Sequence, residues 1–354
     1  MKWENELTQA LRIKYPIVQA PMLGITTPEM IAAIANQGGL GSLPAGGLPP
    51  EKTIELIQKT KALTQAPFAV NLFTNPLPEK PNKLVFESMQ DLLEKICIEN
   101  HLDFERLAFD SLKFYSYTDQ IDCLLSERIP IVSFTFGTLD SISIKAFKQQ
   151  GTFLIGTATC LEEAEILEEI GIDVIIAQGI EAGGHRGTFL HNQSLPMIGS
   201  MLLVPQLANK IRKPILAAGG INNGPTIKTA FMLGAKGVQI GTAFIASDES
   251  AAMSAYKEAL QNAKDIDIVL TKAFSGRWAR GIKNKFMTAI EKSGIQIPEF
   301  PIQGSLTLPI RIKAQQQNNK EFTTLWAGQS AATSEMKPAA DIFIKLVKEA
   351  EELA

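Results

Sequence analysis

The chain has 354 residues, of which 45% are hydrophobic and 20% charged, and its 34 basic and 37 acidic residues give a net charge of −3. This composition supports a large buried core and excludes a disordered or fibrous protein, and the interspersed charges exclude the basic surface that nucleic-acid binding needs. No apolar run reaches the ~18 residues that span a bilayer, and the first residues lack the apolar stretch of a signal peptide. We therefore expect a cytoplasmic protein of one or two domains without a nucleic-acid or membrane partner.

The cysteines argue against a disulfide framework and against zinc. Cys97, Cys123 and Cys160 are odd in number, far apart, and lack both Cys-x-x-Cys spacing and nearby histidines. Zinc sites and disulfide-rich domains require such spacing or pairing. We therefore expect no metal site in this chain.

Eight short apolar runs, each followed by a helical stretch, organise the chain up to residue 246. They lie at residues 17–22, 40–43, 68–73, 129–136, 152–158, 173–177, 214–218 and 237–244. The run at 173–177 is apolar at successive positions rather than alternating, which is typical of a strand buried on both faces. The runs are therefore predicted to be parallel strands.

The stretches between the runs have the pattern of amphipathic helices. In residues 161–170 an apolar side chain recurs at every third position, and Gly171 follows as a helix stop. Two of the intervals are longer than the others. One contains a predicted helical insertion near residues 83–100, and the other contains a glycine-rich loop after the sixth strand.

Eight such units with right-handed crossovers predict an α/β protein with a (β/α)8 TIM barrel. The alternative is a doubly wound open sheet, which normally carries Gly-x-Gly-x-x-Gly after its first strand; residues 20–24 do not fit that pattern. After residue 246 the period stops, and the rest of the chain ends in an apolar stripe at Phe343, Leu346, Val347 and Ala350. We expect a barrel at 1–246 and a mainly helical C-terminal subdomain at 247–354, which packs over the barrel and contributes to the roof of its pocket.

Glycines follow the seventh and eighth predicted strands, at the end of a barrel where ligands bind. Residues 217–224 contain Gly219 and Gly220, and the eighth run contains Gly241. Small residues in adjacent loops let backbone N–H groups approach a phosphate. Phosphate binding is the interpretation we favour, and the alternative is a pair of tight turns without a ligand.

The loop after the sixth strand combines an amide, a carboxylate, an imidazole and a guanidinium among four glycines. Because an apolar strand delivers it to the ligand-binding end, we interpret His185 as functional rather than structural. For Glu181 and Arg186, the alternative to a functional role is that the two side chains pair with each other. Asn71 ends the third strand, where its amide suits either the edge of a heteroaromatic ring or a turn.

Several motifs occur together in an order that resembles the nitronate monooxygenase family, formerly called 2-nitropropane dioxygenases. They are residues 19–22, 177–187, 217–221, 234–242, 273–281 and 326–329. The resemblance implies an FMN-containing barrel that oxidises alkyl nitronates such as propionate 3-nitronate. Such an enzyme would use O₂, would yield carbonyl compounds and nitrite without reduced nicotinamide, and would have a role in detoxification.

The resemblance also implies roles for individual residues. His185 matches the family's catalytic histidine, which would hold or polarise the nitronate and accept a proton from a neutral nitroalkane near its ordinary pKa of roughly 6.5. The residues expected around the flavin ring are Met22, Asn71, Gln178 and Gly183. Those expected on the phosphate side are Gly220, Gln239, Ile240, Gly241 and Thr242. The pocket tyrosines of some members have no counterpart in the C-terminal part, which contains only Tyr256.

Two other functions stay open from the sequence. A flavin-dependent NAD(P)H enoyl-ACP reductase has a similar barrel and loop, but it favours Glu at the position of Gln178 and an apolar residue at that of Arg186. The second alternative is a non-catalytic module that binds flavin or phosphate. An IMP dehydrogenase-like function is disfavoured, because those barrels use a cysteine in the loop after the sixth strand and this chain has none there. The oligomeric state also stays open.

Overall fold

In the computed structural model, which describes residues 2–78, 82–190 and 194–352, strands alternate with α-helices along much of the chain. The strands are β1 (Ile17–Gln19), β2 (Gly41–Pro44), β3 (Phe68–Phe73), β4 (Ile131–Thr135), β5 (Phe153–Ala158), β6 (Val174–Gln178), β7 (Gly184–His185), β8 (Ile215–Ala218), β9 (Gly237–Ile240), β10 (Ile268–Thr271) and β11 (Ala279–Ile282). The α-helices are α1 (Glu6–Leu11), α2 (Pro28–Asn36), α3 (Pro50–Leu63), α4 (Lys83–Glu99), α5 (Thr118–Ser126), α6 (Ser141–Gln150), α7 (Leu161–Glu169), α8 (Ser200–Lys210), α9 (Gly224–Met232), α10 (Thr242–Ile245), α11 (Ser254–Gln261), α12 (Lys285–Lys292), α13 (Ile302–Gln316) and α14 (Ala339–Glu352). In these residues no helix is both long enough and apolar enough to cross a membrane.

A closed barrel forms the centre of the described structure. Eight parallel strands pair there in the order β1-β9-β8-β6-β5-β4-β3-β2. A bridge between Val18 and Leu40 joins the two end strands, and the Gln19 N–H donates to the Leu40 carbonyl at 2.8 Å. The predicted (β/α)8 barrel is thereby confirmed, because a doubly wound sheet would leave these two edges open.

The eighth apolar run is shorter as a strand than predicted. The strand β9 ends at Ile240, and the short helix α10 begins after Gly241. Ala243 and Phe244 stay buried in that helix, so the sequence remains apolar after the strand has ended. A continuous apolar run does not distinguish a strand from a buried helix, which explains the difference.

The predicted insertion near residues 83–100 is a helix, α4, and it belongs to a second hydrophobic core. Phe86 and Leu93 of α4 pack in one cluster with Phe274, Phe286 and Leu306 from the C-terminal part of the chain. Two segments far apart in sequence therefore support each other. Their packing places the loop between β10 and β11 next to the end of the barrel.

The C-terminal part contributes both helices and strands. Its last helix, α14, contacts α2 and α9, and its apolar stripe joins the main core, so α14 occupies a place in the outer ring of barrel helices. The strands β10 and β11 were not anticipated in a segment read as mainly helical. They form a three-stranded antiparallel sheet with β7, in which Ala279 pairs with His185.

Candidate active site

The loop after β6 is held in place by the side chain of Gln178. Its Nε2 donates to the carbonyl oxygen of His185 at 3.0 Å, and its Oε1 accepts from Arg186 Nη1 at 3.0 Å and from the Gly187 N–H at 2.8 Å. Pairing of His185 with Ala279 adds a β-ladder on the other side. Because both edges of the loop are bonded, the imidazole is carried by a rigid backbone.

The expected alternative of an ion pair between Glu181 and Arg186 is wrong. The Arg186 guanidinium is fully buried and donates to the carbonyl oxygens of Gly179 at 2.6 Å and Gln178 at 3.1 Å. The Glu181 carboxylate instead accepts from the Ser200 N–H at 2.9 Å, at the start of α8. The start of a helix is a favourable position for an anion. Glu181 and Arg186 are near each other in the sequence, but this does not determine whether their side chains point towards each other.

His185 lies in a pocket of aromatic rings with one polar partner. Its Nε2 is 2.8 Å from Ser275 Oγ, between β10 and β11. Ring centroids of Phe136, Phe300 and Trp326 lie 5.7, 6.0 and 5.5 Å from that of the imidazole. Because Nε2 is engaged by the hydroxyl, Nδ1 is the nitrogen left for a ligand; within the described residues it has no hydrogen-bond partner.

The aromatic wall includes a strained residue. Phe136 follows β4 and has a φ of 77°, a left-handed conformation that is uncommon for a bulky side chain. Its ring lies 4.1 Å from the Cζ atom of Arg277, and the Arg277 guanidinium also donates to the carbonyl oxygen of Thr188. Strain of this kind clusters at functional sites, so Phe136 marks the position of the pocket.

The pocket keeps His185 neutral. Burial, together with a smaller effect of the positive charges of Arg277 and Arg311, lowers the pKa of His185 to about 3. Burial also lowers the pKa of Arg277 and of Arg311 to about 10, so both guanidiniums stay charged at neutral pH. The site at pH 7 therefore combines an uncharged imidazole with two cations.

A pH titration follows from this neutral imidazole. We expect the ring signals of His185 in nuclear magnetic resonance spectra not to titrate between about pH 5 and 8, the range of an ordinary histidine. The chain has three histidines, and the spectrum of a His185→Asn variant identifies the signals of His185. A titration midpoint near 6.5 would contradict the expectation. Because the folded-state pKa is lowered to about 3, this group's contribution to stability is complete above roughly pH 6.5 and is lost as the pH falls toward 3.

Glu163 is a buried carboxylate that the sequence analysis did not single out. It accepts four hydrogen bonds: from the N–H and hydroxyl of Thr159 at 2.6 and 2.7 Å, from the Thr188 hydroxyl at 2.7 Å and from the Phe189 N–H at 2.7 Å. It thereby joins the start of α7 to the loop that carries His185. Thr188 in turn accepts from Arg277, so Glu163 also supports the wall of the pocket.

The residues expected around a flavin ring lie at the carboxyl ends of barrel strands. Asn71 at the end region of β3 is buried, and its amide donates to Ser133 Oγ at 3.0 Å. Met22 follows β1, with its sulfur close to Gly241. Gly183 has a different close neighbour: a Cβ there would lie 2.5 Å from the Gly328 nitrogen. The need for glycine at 183 therefore comes at least in part from the C-terminal segment.

The loops after β8 and β9 offer backbone donors. The N–H groups of Gly219, Gly220, Gly241 and Thr242 have no hydrogen-bond partner among the described residues. Gly219 and Gly220 have φ values of 105° and 73°, which favour glycine. Donors from two adjacent loops at this end of a barrel suit a phosphate group. In β9 itself, Ile240 is buried and Gln239 is half-buried.

Of the residues around the imidazole, the sequence analysis missed Ser275, Arg277, Arg311, Phe300 and Trp326. Ser275, Arg277 and Trp326 fall inside the motifs at 273–281 and 326–329. Those motifs indicate that the segments matter, but not which of their side chains face the imidazole. Arg311 and Phe300 carried no signal, because their role arises only from the packing of α13 and of the residues just before it against residues 273–276. That packing includes the bond from Gln303 Nε2 to the Ala273 carbonyl at 2.6 Å.

Comparisons with known sequences and structures find proteins that are similar to this chain over nearly its whole length. The sequence model of the nitronate monooxygenase family matches residues 4–349. A protein of Staphylococcus saprophyticus described as a probable nitronate monooxygenase is 40% identical over 359 aligned residues, which cover 100% of this chain and 99% of that protein. The nitroalkane oxidase of Streptomyces ansochromogenes has a similar structure, with a TM-score of 0.88, 34% identity and 98% of each chain covered. FabK of Thermotoga maritima is more distant, with a TM-score of 0.76, 27% identity, and 99% of this chain and 96% of that one covered.

Proposed function

Because this chain belongs to the nitronate monooxygenase family, an oxidoreductase family of flavoenzymes, we propose that it oxidises alkyl nitronates with O₂ to carbonyl compounds and nitrite. The balance is complete without another reductant, since two nitronate anions and one O₂ contain the atoms and charge of two carbonyl compounds and two nitrite ions. The physiological role we propose is detoxification of nitronates in the cytoplasm. The observation that carries the proposal is the position of His185 in an aromatic pocket at the ligand-binding end of the barrel, where Ser275 engages Nε2 and leaves Nδ1 for a ligand.

The cofactor we propose is FMN, which supplies an electron-accepting ring when bound. The free N–H groups of Gly219, Gly220, Gly241 and Thr242 fit its phosphate, because they are donors without a protein partner. Gln239 and Ile240 bring the second of these loops to the site. Asn71 and Met22 would border the ring at the carboxyl ends of β3 and β1. Gln178 would act mainly through the loop, since its amide oxygen already accepts two hydrogen bonds.

His185 would hold the substrate rather than deprotonate it. A nitronate is already an anion with its charge on the nitro oxygens, so the reaction needs no strong base. An imidazole whose pKa is lowered to about 3 is a poor acceptor for the proton of a neutral nitroalkane. We therefore propose that preformed nitronates are the substrates and that Nδ1 of His185 orients them.

The test is an O₂-electrode and nitrite assay on the purified yellow protein with propionate 3-nitronate, with and without NADH. We expect O₂ consumption and nitrite formation that do not require NADH. Fast anaerobic bleaching of the flavin by NADH, without oxidation of the nitronate, would instead identify a reductase. A protein without flavin colour and without O₂ consumption would be a non-catalytic module.

A further inference from the structure

Arg186 directly follows His185 in the chain, and its side chain is fully buried. Burial lowers the pKa of Arg186 to about 10, so the guanidinium stays charged at neutral pH. The charges of Glu163 and Glu181 oppose this lowering from a distance, but within the described residues the hydrogen bonds of the guanidinium go to amide oxygens and not to a carboxylate. Burying a charge opposes folding, and apolar side chains often replace buried ions without loss of stability. Stability by itself therefore does not explain an arginine at this position.

The guanidinium of Arg186 joins the two ends of the loop that contains His185. Its Nη1 donates to the carbonyl oxygens of Gln178 and Gly179, at 3.1 and 2.6 Å, where the loop leaves β6. Its Nη2 donates to the carbonyl oxygen of Pro196 at 3.3 Å, shortly before α8 begins. A guanidinium has five N–H donors in a rigid plane, so one side chain can bind both ends of the loop at once.

The same guanidinium determines which way the side-chain amide of Gln178 faces. Nη1 of Arg186 donates to Gln178 Oε1 at 3.0 Å, while Nε2 of the same amide donates to the His185 carbonyl oxygen at 3.0 Å. A positive charge attracts the amide oxygen and repels the NH₂ group, so the reversed orientation of the amide is disfavoured. A chain of two hydrogen bonds therefore runs from the guanidinium to the backbone of His185.

The side chains of His185 and Arg186 have separate surroundings. His185 ends the strand β7, and successive side chains of an extended chain point to opposite sides. The imidazole contacts Ser275 in the pocket at 2.8 Å, whereas the guanidinium turns back to the oxygens at the base of the loop. The two side chains are connected through the backbone and through Gln178, so Arg186 can affect the imidazole only by holding the backbone that carries it.

Resting on the proposed function, we propose that Arg186 is a positioning residue, which aims Nδ1 of His185 at the substrate by holding both ends of the loop and the amide of Gln178. Ser275 binds the imidazole from one side only, at Nε2, so a loosened backbone would change the direction of Nδ1. Directions of this kind matter, because a displacement of about 1 Å in an active site can lower a rate about 100-fold. The buried charge thus serves one conformation of the loop.

The test is a double-mutant cycle between Arg186 and His185 in flavin-loaded enzyme. With the wild-type histidine, Arg186→Lys is expected to lower kcat/KM for propionate 3-nitronate about tenfold, because the ammonium group keeps the charge but cannot reach all four oxygens. In the His185→Gln background the same change is expected to lower kcat/KM less than about twofold, since the nitrogen that Arg186 positions is absent. Equal effects in the two backgrounds, including no effect in either, would overturn the proposal.

A second variant and a control accompany the cycle. Arg186→Gln leaves no buried charge to be compensated, which keeps the test available if the lysine variant does not fold. We expect it to lower kcat/KM about 30-fold with the wild-type histidine, and again less than about twofold beside His185→Gln. Arg212→Lys makes the same substitution at an exposed position just before β8, at the opposite end of the barrel strand from the pocket, and is expected to leave kcat/KM unchanged.

A measurement without substrate separates positioning from stability. In nuclear magnetic resonance spectra of the purified protein at pH 7, the ring signals of His185 are expected to shift in the Arg186 variants, while those of the exposed His101 stay in place. A lower Tm with unchanged ring signals of His185 in the folded protein would mean a structural role only and would overturn the proposal. If the wild type does not oxidise propionate 3-nitronate while the ring signals still shift, the proposed function fails and the positioning of His185 stands.

Discussion

Replacing His185 with glutamine is expected to lower kcat/KM for propionate 3-nitronate about 100-fold, the size of effect seen when a positioned polar group is lost from an active site. The reason is geometric. Ser275 engages Nε2 at 2.8 Å, and glutamine places a polar atom near Nε2 while it removes Nδ1, the nitrogen left for the substrate. His185→Asn keeps a polar atom near Nδ1 but loses the support of Ser275, and we expect it to lose less activity, about tenfold. Steady-state O₂ consumption of flavin-loaded variants checks both values.

A matched control for these variants is His101→Asn. His101 is exposed and has a φ of 55°, a left-handed conformation that asparagine tolerates, so this substitution changes a histidine without touching the pocket. Its activity is expected to equal that of the wild type. Undiminished turnover by both His185 variants with flavin bound would remove His185 from the mechanism. A larger loss for asparagine than for glutamine would assign the substrate to Nε2 instead.

Replacing Glu163 with glutamine is expected to lower the free energy of unfolding by about 3 kcal/mol. The carboxylate is fully buried and accepts from four donors, two from Thr159, one from Thr188 and one from Phe189. Glutamine turns one acceptor oxygen into an NH₂ group that faces donors, so hydrogen bonds are lost and buried polar groups lose their partner. Denaturant unfolding with an unchanged m-value and a lower midpoint would show this loss.

The same helix offers the control for Glu163. Glu165 lies two residues further along α7 and is exposed, so Glu165→Gln removes the same charge from the surface and is expected to change stability by less than about 0.5 kcal/mol. We also expect Glu163→Gln to reduce activity, because Thr188 accepts from Arg277 beside Phe136. A change in stability no larger than that of the control would mean that the four hydrogen bonds are replaced at no cost.

The barrel could be predicted because its signals are local. Buried parallel strands are apolar at successive positions, and helices of the outer layer have a period near 3.6, so both patterns are visible in short windows of sequence. The strand β6 at Val174–Gln178 lies within one residue of the predicted run at 173–177. Where two buried elements follow each other, as β9 and α10 do, the pattern no longer separates them.

The C-terminal part was harder to predict because its elements depend on distant partners. The strands β10 and β11 are four residues each, and β11 is held by pairing with β7. Short strands have weak patterns, and the partner of β11 lies in a glycine-rich loop that has no strand signal. The place of α14 beside α2 and α9 likewise follows from packing, although its apolar stripe was visible in the sequence.

By itself, the sequence determined the (β/α)8 fold, the family, and the segments that reach the ligand-binding end of the barrel. Those properties follow from residue patterns along the chain and from the fact that parallel strands of a barrel end at one face. Only the tertiary structure decided that His185 is neutral. Its polar partner Ser275 is 90 residues away in the sequence, and its pKa is lowered by burial and by Arg277 and Arg311. Desolvation and charge act through space, so the proton on a side chain is determined by what the fold brings next to it.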